Sequence, residues 1–430
     1  MASAEELLLI HWLPRQRWFA GKDRPVTAVR VSGSAELFPG LRFVVLDVEQ
    51  GSATDRYQLY LGVGEAAPGG LIGPVGPGTV VYDAVHDPAL ASVLLDRIDA
   101  ETSAGALRFR RAPGVALDTA AGGRPLGAEQ SNTSLVYGTS HILKLFRRLS
   151  PGRSPDLEIN LALTSRASPY APAVHGWIEL DEGDEPVTLA LLSAYVPGAA
   201  DGWELATARA ASAESFAAEA AALGEATAAV HRDLAELFDV RETTSADLAA
   251  LVDAMRAQLD ETSRTVAELR PHAEAIGAVF DTVRALDDPP PLQRVHGDYH
   301  LGQALYTGDR WVLLDFEGEP ARSPAERRAP SPALRDVAGM LRSFDYAAHA
   351  SDADASREPS PGASSWAEET RAAFLRGYSS AGGAAVHPDL LHALELDKAV
   401  YEIRYEAAHR PAWLPIPLNA LSRLTTTRQN

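Results

Sequence analysis

The feature that most constrains this chain is the stretch at residues 294–320, which places polar groups at close spacing on either side of a turn. It begins Arg-Val-His-Gly-Asp-Tyr-His-Leu-Gly-Gln and turns at Thr307, Gly308 and Asp309. The apolar run Trp-Val-Leu-Leu then leads into Asp-Phe-Glu-Gly-Glu-Pro. A turn signal between two short apolar segments predicts a loop, a short hairpin and a strand that ends in an acid.

The polar residues of this stretch fit phosphoryl transfer. That reaction needs a base to orient the acceptor hydroxyl, and oxygen ligands to hold Mg²⁺ on the nucleotide phosphates. Asp298 is the candidate base. Gln303 offers an amide oxygen where protein kinases place an Asn, and Asp315 offers a carboxylate where they place an Asp. We therefore expect an ATP-dependent kinase in which Asp298 is catalytic and Gln303 and Asp315 bind Mg²⁺.

Other interpretations of the same residues are weaker. His-Gly-Asp is a common loop tripeptide, and an Asp after an apolar run can simply cap a turn. His296 and His300 are four residues apart, but the Glu of a His-Glu-x-x-His metal site is missing. We interpret His296 as a structural loop histidine, and His300 as a group that orients neighbouring backbone or sugar hydroxyls.

Composition limits the classes of function. At 430 residues and 46% hydrophobic, the chain is long enough for two or three domains with ample cores. A net charge of −19 argues against nucleic acid as a partner, because phosphate binding needs clustered Lys and Arg. The chain has no cysteine, which excludes disulfides and thiolate chemistry. With no basic leader and no run of about 18 apolar residues, we expect no membrane partner and a cytoplasmic enzyme.

The first part of the chain predicts a small β-rich unit and then a nucleotide-binding unit. Strand patterns cover residues 41–48 and 56–61, and a helix is predicted over residues 88–98. Between two later strands lies a loop whose small polar residues can approach phosphate. It matches neither Gly-x-Gly-x-x-Gly nor the Walker pattern, so it is weak evidence alone. Its candidate residues are Ser131, Asn132, Thr133 and Ser134.

A lysine on the following strand strengthens the nucleotide-binding prediction. Lys144 lies in an apolar strand, where a lone amine is costly unless paired, and a helix from residue 156 could bring Glu158 to it. The alternative is that Lys144 points to solvent. A further strand over residues 187–195 would lead into a hinge, where the backbones of Tyr195 and Val196 could read the adenine edge.

The second half of the chain is predicted to be helical. Helices are expected over residues 213–238, 247–285, 334–350, 365–377 and 388–410, and residues 351–364 read as a flexible surface loop. On the last helix, Lys398, Tyr401 and Tyr405 share one face. Such a face suits a sugar, although aromatic stripes are more often core.

Together these motifs resemble the actinobacterial maltokinases over nearly the whole chain. The matching segments are residues 12–22, 129–134, 142–148, 156–158, 296–303, 314–320, 334–348, 398–402 and 410–418. The resemblance implies an α+β, bilobal, protein-kinase-like fold of the aminoglycoside phosphotransferase type. It would comprise an N-terminal β-rich cap subdomain (residues 1–86), a nucleotide-binding subdomain (87–200) and an α-helical C-lobe (201–430).

The resemblance also implies an activity and a partner. The expected reaction is ATP-dependent phosphorylation of maltose to maltose 1-phosphate, on the route from trehalose to α-glucan, with trehalose synthase as implied partner. His300, Lys398, Tyr401 and Tyr405 would face the disaccharide. Trp413, Glu317 and Glu406 are further candidate substrate residues.

The acceptor stays open between related sugars. Related enzymes with the same catalytic stretch phosphorylate glucosamine. Maltose is favoured because the face of Lys398, Tyr401 and Tyr405 is broad and Trp413 lies just beyond it. An amino sugar would instead need carboxylates, which Glu402 or Glu406 could supply. An aminoglycoside or choline-like acceptor would predict an acidic pocket.

Overall fold

The computed structural model describes residues 3–127, 131–319, 322–350 and 361–426. The chain divides into two compact units. The first comprises Met1–Thr164 and Pro172–Pro197, and the second comprises Ser165–Ala171 and Gly198–Asn430. The boundaries of the three predicted subdomains stay a prediction.

The first unit opens with a helix and an antiparallel five-stranded sheet of order β1-β2-β3-β5-β4, called here the cap sheet. Its elements are α1 (Ala4–Trp12), β1 (Ala28–Phe38), β2 (Leu41–Gln50), β3 (Ala53–Gly64), β4 (Leu71–Gly76) and β5 (Thr79–Asp83). Helix α1 begins at a capping box in which Ser3 and Glu6 satisfy each other's backbone N–H groups. Trp12, Trp18 and Phe19 are buried in the core beneath this sheet.

The same unit continues into a seven-stranded antiparallel sheet of order β6-β7-β11-β12-β10-β9-β8. Its strands are β6 (Ser103–Ala104), β7 (Leu107–Arg111), β8 (Gly123–Leu126), β9 (Thr133–Tyr137), β10 (His141–Leu145), β11 (Val174–Leu180) and β12 (Val187–Ala194). Helix α2 (Pro88–Asp99) packs on it, and α3 (Pro155–Ser165) follows β10. Leucines at alternate positions of the strands bury one face of this sheet.

The second unit is mainly helical. Its helices are α4 (Gly202–Ala211), α5 (Ala217–Leu237), α6 (Ser245–Thr265), α7 (Ala273–Thr282), α8 (Pro324–Arg328), α9 (Leu334–His349), α10 (Pro361–Ser380), α11 (Pro388–His409) and α12 (Pro415–Thr426). Within the described ranges, no helix is long and apolar enough to cross a membrane.

Two helix predictions are wrong in detail. The single helix expected over residues 247–285 is broken between α6 and α7 by the 3₁₀ segment Ala267–His272, which contains Pro271. Proline lacks the N–H that a continuing helix needs. The loop predicted over residues 351–364 is wrong at its end, because α10 begins at Pro361. Residues 351–360 lie outside the described residues.

The short strands of the second unit carry the 294–320 stretch. They are β13 (Ala200–Asp201), β14 (Leu292–Gln293), β15 (Ala304–Tyr306), β16 (Trp311–Leu313) and β17 (Ser331–Pro332). β15 and β16 pair antiparallel, with Ala304 opposite Leu313, so the predicted hairpin is present. The Leu314 N–H donates to the Gln303 carbonyl at 2.8 Å, which fixes the two ends of the hairpin beside each other.

Candidate active site

The loop that carries Asp298 is held by a buried carboxylate. Asp336, in the first turn of α9, accepts backbone N–H bonds from His296 at 2.8 Å and from Gly297 at 2.9 Å. His231 of α5 contacts the same carboxylate at 2.9 Å and the Tyr378 hydroxyl at 2.9 Å. Hydrogen bonds to an ionised group are the stronger kind, so this network fixes the loop. Sequence reasoning missed Asp336 and His231, because nothing in the local pattern links them to the loop.

Close backbone packing completes the loop. His296 is buried, and its Nε2 contacts the Leu314 carbonyl at 2.8 Å, in keeping with a structural role. Gly297 has a φ of +87°, and a Cβ there would lie 3.2 Å from the Gly318 Cα. Only a residue without a side chain allows the two segments to approach this closely.

Lys398 of α11 contacts the candidate base. Its Nζ lies 3.3 Å from Asp298 Oδ1 and 3.1 Å from Glu319 Oε1. Glu319 also accepts from Arg322 at 2.8 Å. Burial by itself would raise the pKa of Glu319, but the charges of Lys398 and Arg322 outweigh it and lower that pKa to about 2. The resemblance placed Lys398 against the sugar, whereas the structure also makes it the bridge between two carboxylates.

Three side chains in and just after the hairpin offer oxygen atoms that could bind a divalent cation. Gln303 Nε2 donates to Asp315 Oδ2 at 3.1 Å, and carboxylate oxygens of Asp315 and Glu317 lie within 4.8 Å of each other. Asp315 has a φ of 62°, a left-handed conformation that Asp tolerates better than most residues. Hard oxygen ligands of this kind are those that Mg²⁺ prefers. Glu317, predicted as a substrate residue, therefore lies beside the predicted metal ligand.

A cleft of about 540 Å³ in the second unit contains most of the predicted substrate residues, and we call it the α11 cleft. Its lining includes Asp298, His300, Lys398, Tyr401, Tyr405, Glu406 and Trp413. His300 Nδ1 accepts the Gly302 N–H at 3.2 Å. Burial lowers the pKa of His300 and outweighs the opposing charge of Asp298, so its imidazole is neutral near pH 7.

Aromatic rings form one wall of the α11 cleft. The Tyr346 and Trp413 rings are stacked with centroids 6.3 Å apart and planes 15° apart. Trp203 of α4 lies 6.3 Å from Trp413. Tyr401 and Tyr405 stack at 6.4 Å on α11. Sequence analysis missed Trp203 and Tyr346, which reach the cleft from helices distant in the chain.

The two glutamates considered for an amino sugar are paired with arginines. Glu402 accepts from Arg342 at 2.8 Å, and Glu406 accepts from Arg410 at 2.6 Å. Glu406 also accepts from the Tyr346 hydroxyl at 3.3 Å. These carboxylates are therefore already hydrogen-bonded within the protein. The cleft has further carboxylates in Asp201, Glu204 and Asp298.

In the first unit, Lys144 is paired. Its Nζ lies 3.0 Å from Asp156 Oδ2, with the two side chains 16% and 3% exposed. Asn160 also donates to Asp156, at 2.8 Å. The alternative in which Lys144 points to solvent is wrong, because a partly buried amine is stabilised by a charged partner. Sequence analysis missed Asp156, and Glu158, in the same first turn of α3, stays a prediction.

The remaining predicted nucleotide residues also lie in the first unit. Ser131 and Asn132 precede β9, and Thr133 and Ser134 are its first two residues, so only part of the predicted loop is irregular. Residues 128–130 lie outside the described residues. At the predicted hinge, the N–H of Tyr195 donates to the Ser140 carbonyl at 3.0 Å. This N–H is therefore not available to the adenine ring. The carbonyl of Tyr195 and the backbone of Val196 remain the candidates for binding the adenine edge.

Comparison with known proteins gives two family matches and several relatives. The maltokinase N-terminal cap domain matches residues 12–87, and the phosphotransferase enzyme family matches residues 122–388. A glucosamine kinase of Mycolicibacterium smegmatis is 33% identical over 326 residues, covering 72% of this chain and 81% of the relative. A glucosamine kinase of Streptacidiphilus jiangxiensis is 32% identical over 333 residues, covering 71% and 74%.

A solved structure is similar along its whole length. A glucosamine kinase in complex with glucosamine, ADP and inorganic phosphate has a TM-score of 0.72 and 28% identity, covering 99% of this chain and 100% of that one. The prediction of an α+β, kinase-like fold of the aminoglycoside phosphotransferase type is therefore confirmed.

Proposed function

The chain belongs to the phosphotransferase enzyme family and carries a maltokinase N-terminal cap domain. From the charge of its α11 cleft and the names of its relatives, we propose that it transfers phosphate from ATP to glucosamine. It is an ATP-dependent sugar kinase, and the acceptor is the part proposed here. The curated relatives covering about 70% of the chain are named glucosamine kinases, which supports this acceptor.

The charge of the α11 cleft is the observation that carries the proposal. Five carboxylates line it against two cationic side chains, Lys398 and Arg410. The carboxylates are those of Asp201, Glu204, Asp298, Glu402 and Glu406. A cleft with an excess of negative charge attracts a cation, and glucosamine carries an ammonium group whereas maltose is neutral. With Glu402 and Glu406 paired to arginines and Asp298 paired with Lys398, the carboxylates of Asp201 and Glu204 remain for the ammonium group.

Each residue of the site has its own role in the proposed reaction. Asp298 accepts the proton of the acceptor hydroxyl as that oxygen bonds to the γ-phosphorus and the bond to the ADP oxygen breaks. Lys398 holds the Asp298 carboxylate in place, at 3.3 Å. Lys144 contacts the nucleotide phosphates, and Asp156 keeps its amine oriented. Gln303 and Asp315, with Glu317 beside them, would hold Mg²⁺, which neutralises charge on the phosphates when bound.

Maltose is the second candidate, favoured by a different observation. The aromatic wall of Trp203, Tyr346 and Trp413 and the volume of about 540 Å³ suit two sugar rings, whose C–H faces stack on aromatics. In that case the product is maltose 1-phosphate, and an enzyme that produces maltose, such as trehalose synthase, is the expected partner.

A comparison of acceptors tests the proposal. ADP release is measured with glucosamine, N-acetylglucosamine, glucose, maltose, trehalose and an aminoglycoside. We expect the highest kcat/KM with glucosamine, and a loss of about tenfold or more on N-acetylation, which removes the charge-assisted hydrogen bonds of the ammonium group. A higher kcat/KM with maltose would replace glucosamine by the second candidate. A preference for the aminoglycoside would point to an antibiotic-type acceptor.

A further inference from the structure

A second cavity lies in the helical unit, apart from the α11 cleft. It has a volume of about 190 Å³, and residues of α6, α8, β14 and β17 line it. Among the described residues, the cavity and the α11 cleft share no lining side chain. Arg335, in the first turn of α9, forms part of its wall, and we call it the Arg335 cavity.

The described lining of the Arg335 cavity carries more arginines than carboxylates. The arginines are Arg241, Arg322, Arg327 and Arg335, and the carboxylates are Asp247, Glu319 and Glu326. Arg241 and Asp247 pair at 2.7 Å and 2.8 Å, so their charges cancel. Glu319 is shared between Arg322 and Lys398 and compensates only part of either charge. The cavity therefore has an excess of positive charge in a chain whose net charge is −19.

Arg335 has open hydrogen-bond donors. Its Nε donates to Ser331 Oγ at 3.0 Å, and its Nη1 lies 4.0 Å from Asp397 Oδ2, beyond hydrogen-bond distance. Its two Nη atoms have no hydrogen bond to any residue that the structure describes, although the side chain is only 20% exposed. A guanidinium carries five N–H donors, so the four on the Nη atoms are left for a ligand.

The carboxylate nearest in charge to Arg335 has another partner. Asp397 Oδ1 accepts from the Gln258 side chain at 2.8 Å. Burial, and then the charge of Arg322, lowers the pKa of Arg335. Arg342 of the same helix is buried too, but there the surrounding carboxylates outweigh burial and raise the pKa. Arg335 therefore lacks the close charged partner that a largely buried cation needs.

A phosphate dianion suits this cavity in charge, shape and size. The planar guanidinium binds phosphate oxygens through paired N–H donors. Ser331 accepts the bond from Arg335 Nε, so its own O–H is left to donate to a further oxygen. The volume of about 190 Å³ lies below the roughly 300–1,000 Å³ of pockets for drug-sized ligands, which favours an inorganic ion over a nucleotide or a sugar phosphate.

We propose that the Arg335 cavity binds inorganic phosphate, with the Arg335 guanidinium and the Ser331 hydroxyl as its ligands. Gln303 and Asp315, the proposed Mg²⁺ ligands, do not line this cavity, so the site is not that of the nucleotide phosphates. Gly297, in the loop that carries Asp298, does line it. Phosphate that binds only the folded state there adds to the stability of the protein. The inference does not depend on which sugar is the acceptor.

Two variants and one matched control test the site. Phosphate binding is measured by calorimetry at constant ionic strength, with Mg²⁺ and a non-hydrolysable ATP analogue present so that the γ-phosphate position is occupied. Arg335→Gln removes the guanidinium, and Ser331→Ala removes the hydroxyl. The control is Arg232→Gln, which removes an exposed arginine of α5 that donates to the Ala381 carbonyl at 2.8 Å and lines a different cavity.

We expect Arg335→Gln to raise the Kd of phosphate by about tenfold or more, and Ser331→Ala by about threefold to tenfold, because each loses a hydrogen bond to a charged ligand. Arg232→Gln should stay within about twofold of the wild type. Phosphate should also raise the Tm of the wild type more than that of Arg335→Gln, a comparison that cancels general effects of salt. If Arg335→Gln does not fold, Ser331→Ala decides.

Several outcomes would overturn the inference. The wild type could show no saturable phosphate binding, or bind phosphate no better than both variants. An equal loss of binding in Arg232→Gln would show that phosphate responds to net charge and not to this cavity. Tighter binding of glucose 6-phosphate, lost in the same variants, would overturn inorganic phosphate as the ligand.

Failure of the proposed function is a separate result. A wild type that binds no ATP analogue and phosphorylates no sugar would overturn the proposed function. Phosphate binding that is lost in Arg335→Gln and kept in Arg232→Gln would still support the Arg335 cavity.

Discussion

At the scale of single residues, Asp298 is the proposed base, and its contacts indicate what a substitution would do. Replacing it with Asn keeps the shape and removes the proton acceptor. We expect Asp298→Asn to lower kcat by about 10²–10⁴-fold while the affinity for Mg·ADP stays near that of the wild type. Lys398 then loses one of its two carboxylate partners and keeps Glu319, so the fold should persist. Single-turnover kinetics and calorimetry check both parts, and undiminished turnover would remove the base assignment.

A second residue, His175, predicts a pH dependence of stability. His141 of β10 and His175 of β11 are in contact, with their Nδ1 atoms 2.7 Å apart. The Asp118 N–H donates to the other ring nitrogen of His141 at 3.2 Å. Burial, and then the charge of His141, lowers the pKa of His175 to about 4. The unfolded chain therefore binds the proton first as the pH falls, with a pKa of about 6.5.

The sign of this effect follows from the lowered pKa in the folded state. The contribution of a neutral His175 to stability is complete above about pH 6.5 and is lost as the pH falls towards 4. Between pH 6.5 and pH 4, protonation of His175 should lower the free energy of unfolding of the wild type. In His175→Gln we expect this decrease to be smaller by about 1 kcal/mol, a modest figure because the imidazole is partly exposed. Urea unfolding at several pH values measures it. A variant with the same pH slope as the wild type would show that His175 does not titrate in this way.

At the scale of elements, helix α9 and the loop that carries Asp298 are packed backbone against backbone. A Cβ at Gly339 of α9 would lie 2.5 Å from the Tyr299 carbonyl oxygen, and backbone cannot move aside as a side-chain tip can. We expect Gly339→Ala to destabilise the protein by about 1–3 kcal/mol and to lower kcat, because the loop that holds Asp298 is pushed away.

A glycine of another helix is the matched control for this substitution. At Gly277 of α7, an added Cβ would meet the end of the flexible Arg256 side chain at 2.9 Å. Gly277→Ala should therefore leave stability unchanged or raise it by about 0.5–1 kcal/mol through helix propensity. Thermal unfolding and kcat separate the two variants, and similar behaviour of both would contradict the packing argument.

At the scale of the whole molecule, ligand binding should appear as added stability. A ligand that binds only the folded state at 100 times its dissociation constant adds about 2.7 kcal/mol. We expect Mg·ADP to raise the Tm accordingly, and excess chelator to remove most of the rise, if Gln303 and Asp315 hold Mg²⁺ on the phosphates. Differential scanning fluorimetry measures the effect. A Tm shift that is the same with and without Mg²⁺ would contradict the assignment of these two residues.

The sequence alone was sufficient for local structure. Asp298, Gln303 and Asp315 are joined by a short hairpin whose turn residues and apolar runs lie within one stretch, so chain connectivity by itself keeps them near each other. Helix α9 and helix α11 also follow from apolar spacing, and their predicted bounds agree with the structure to within one residue. Pro271 is a helix-breaking residue that is visible in the sequence, but the prediction of one helix over residues 247–285 did not take it into account.

Tertiary structure alone decided which distant groups meet. Lys398 lies 100 residues from Asp298 in the chain, and Arg147 lies 64 residues from Asp83, yet each pair is in contact. Local periodicity shows which face of an element is buried but not which neighbour covers it, because that depends on how packed elements cross. The bridge of Lys398, the hydrogen bonds to Asp336, the aromatic wall and the pair of Asp83 with Arg147 all arise from packing between elements far apart in sequence.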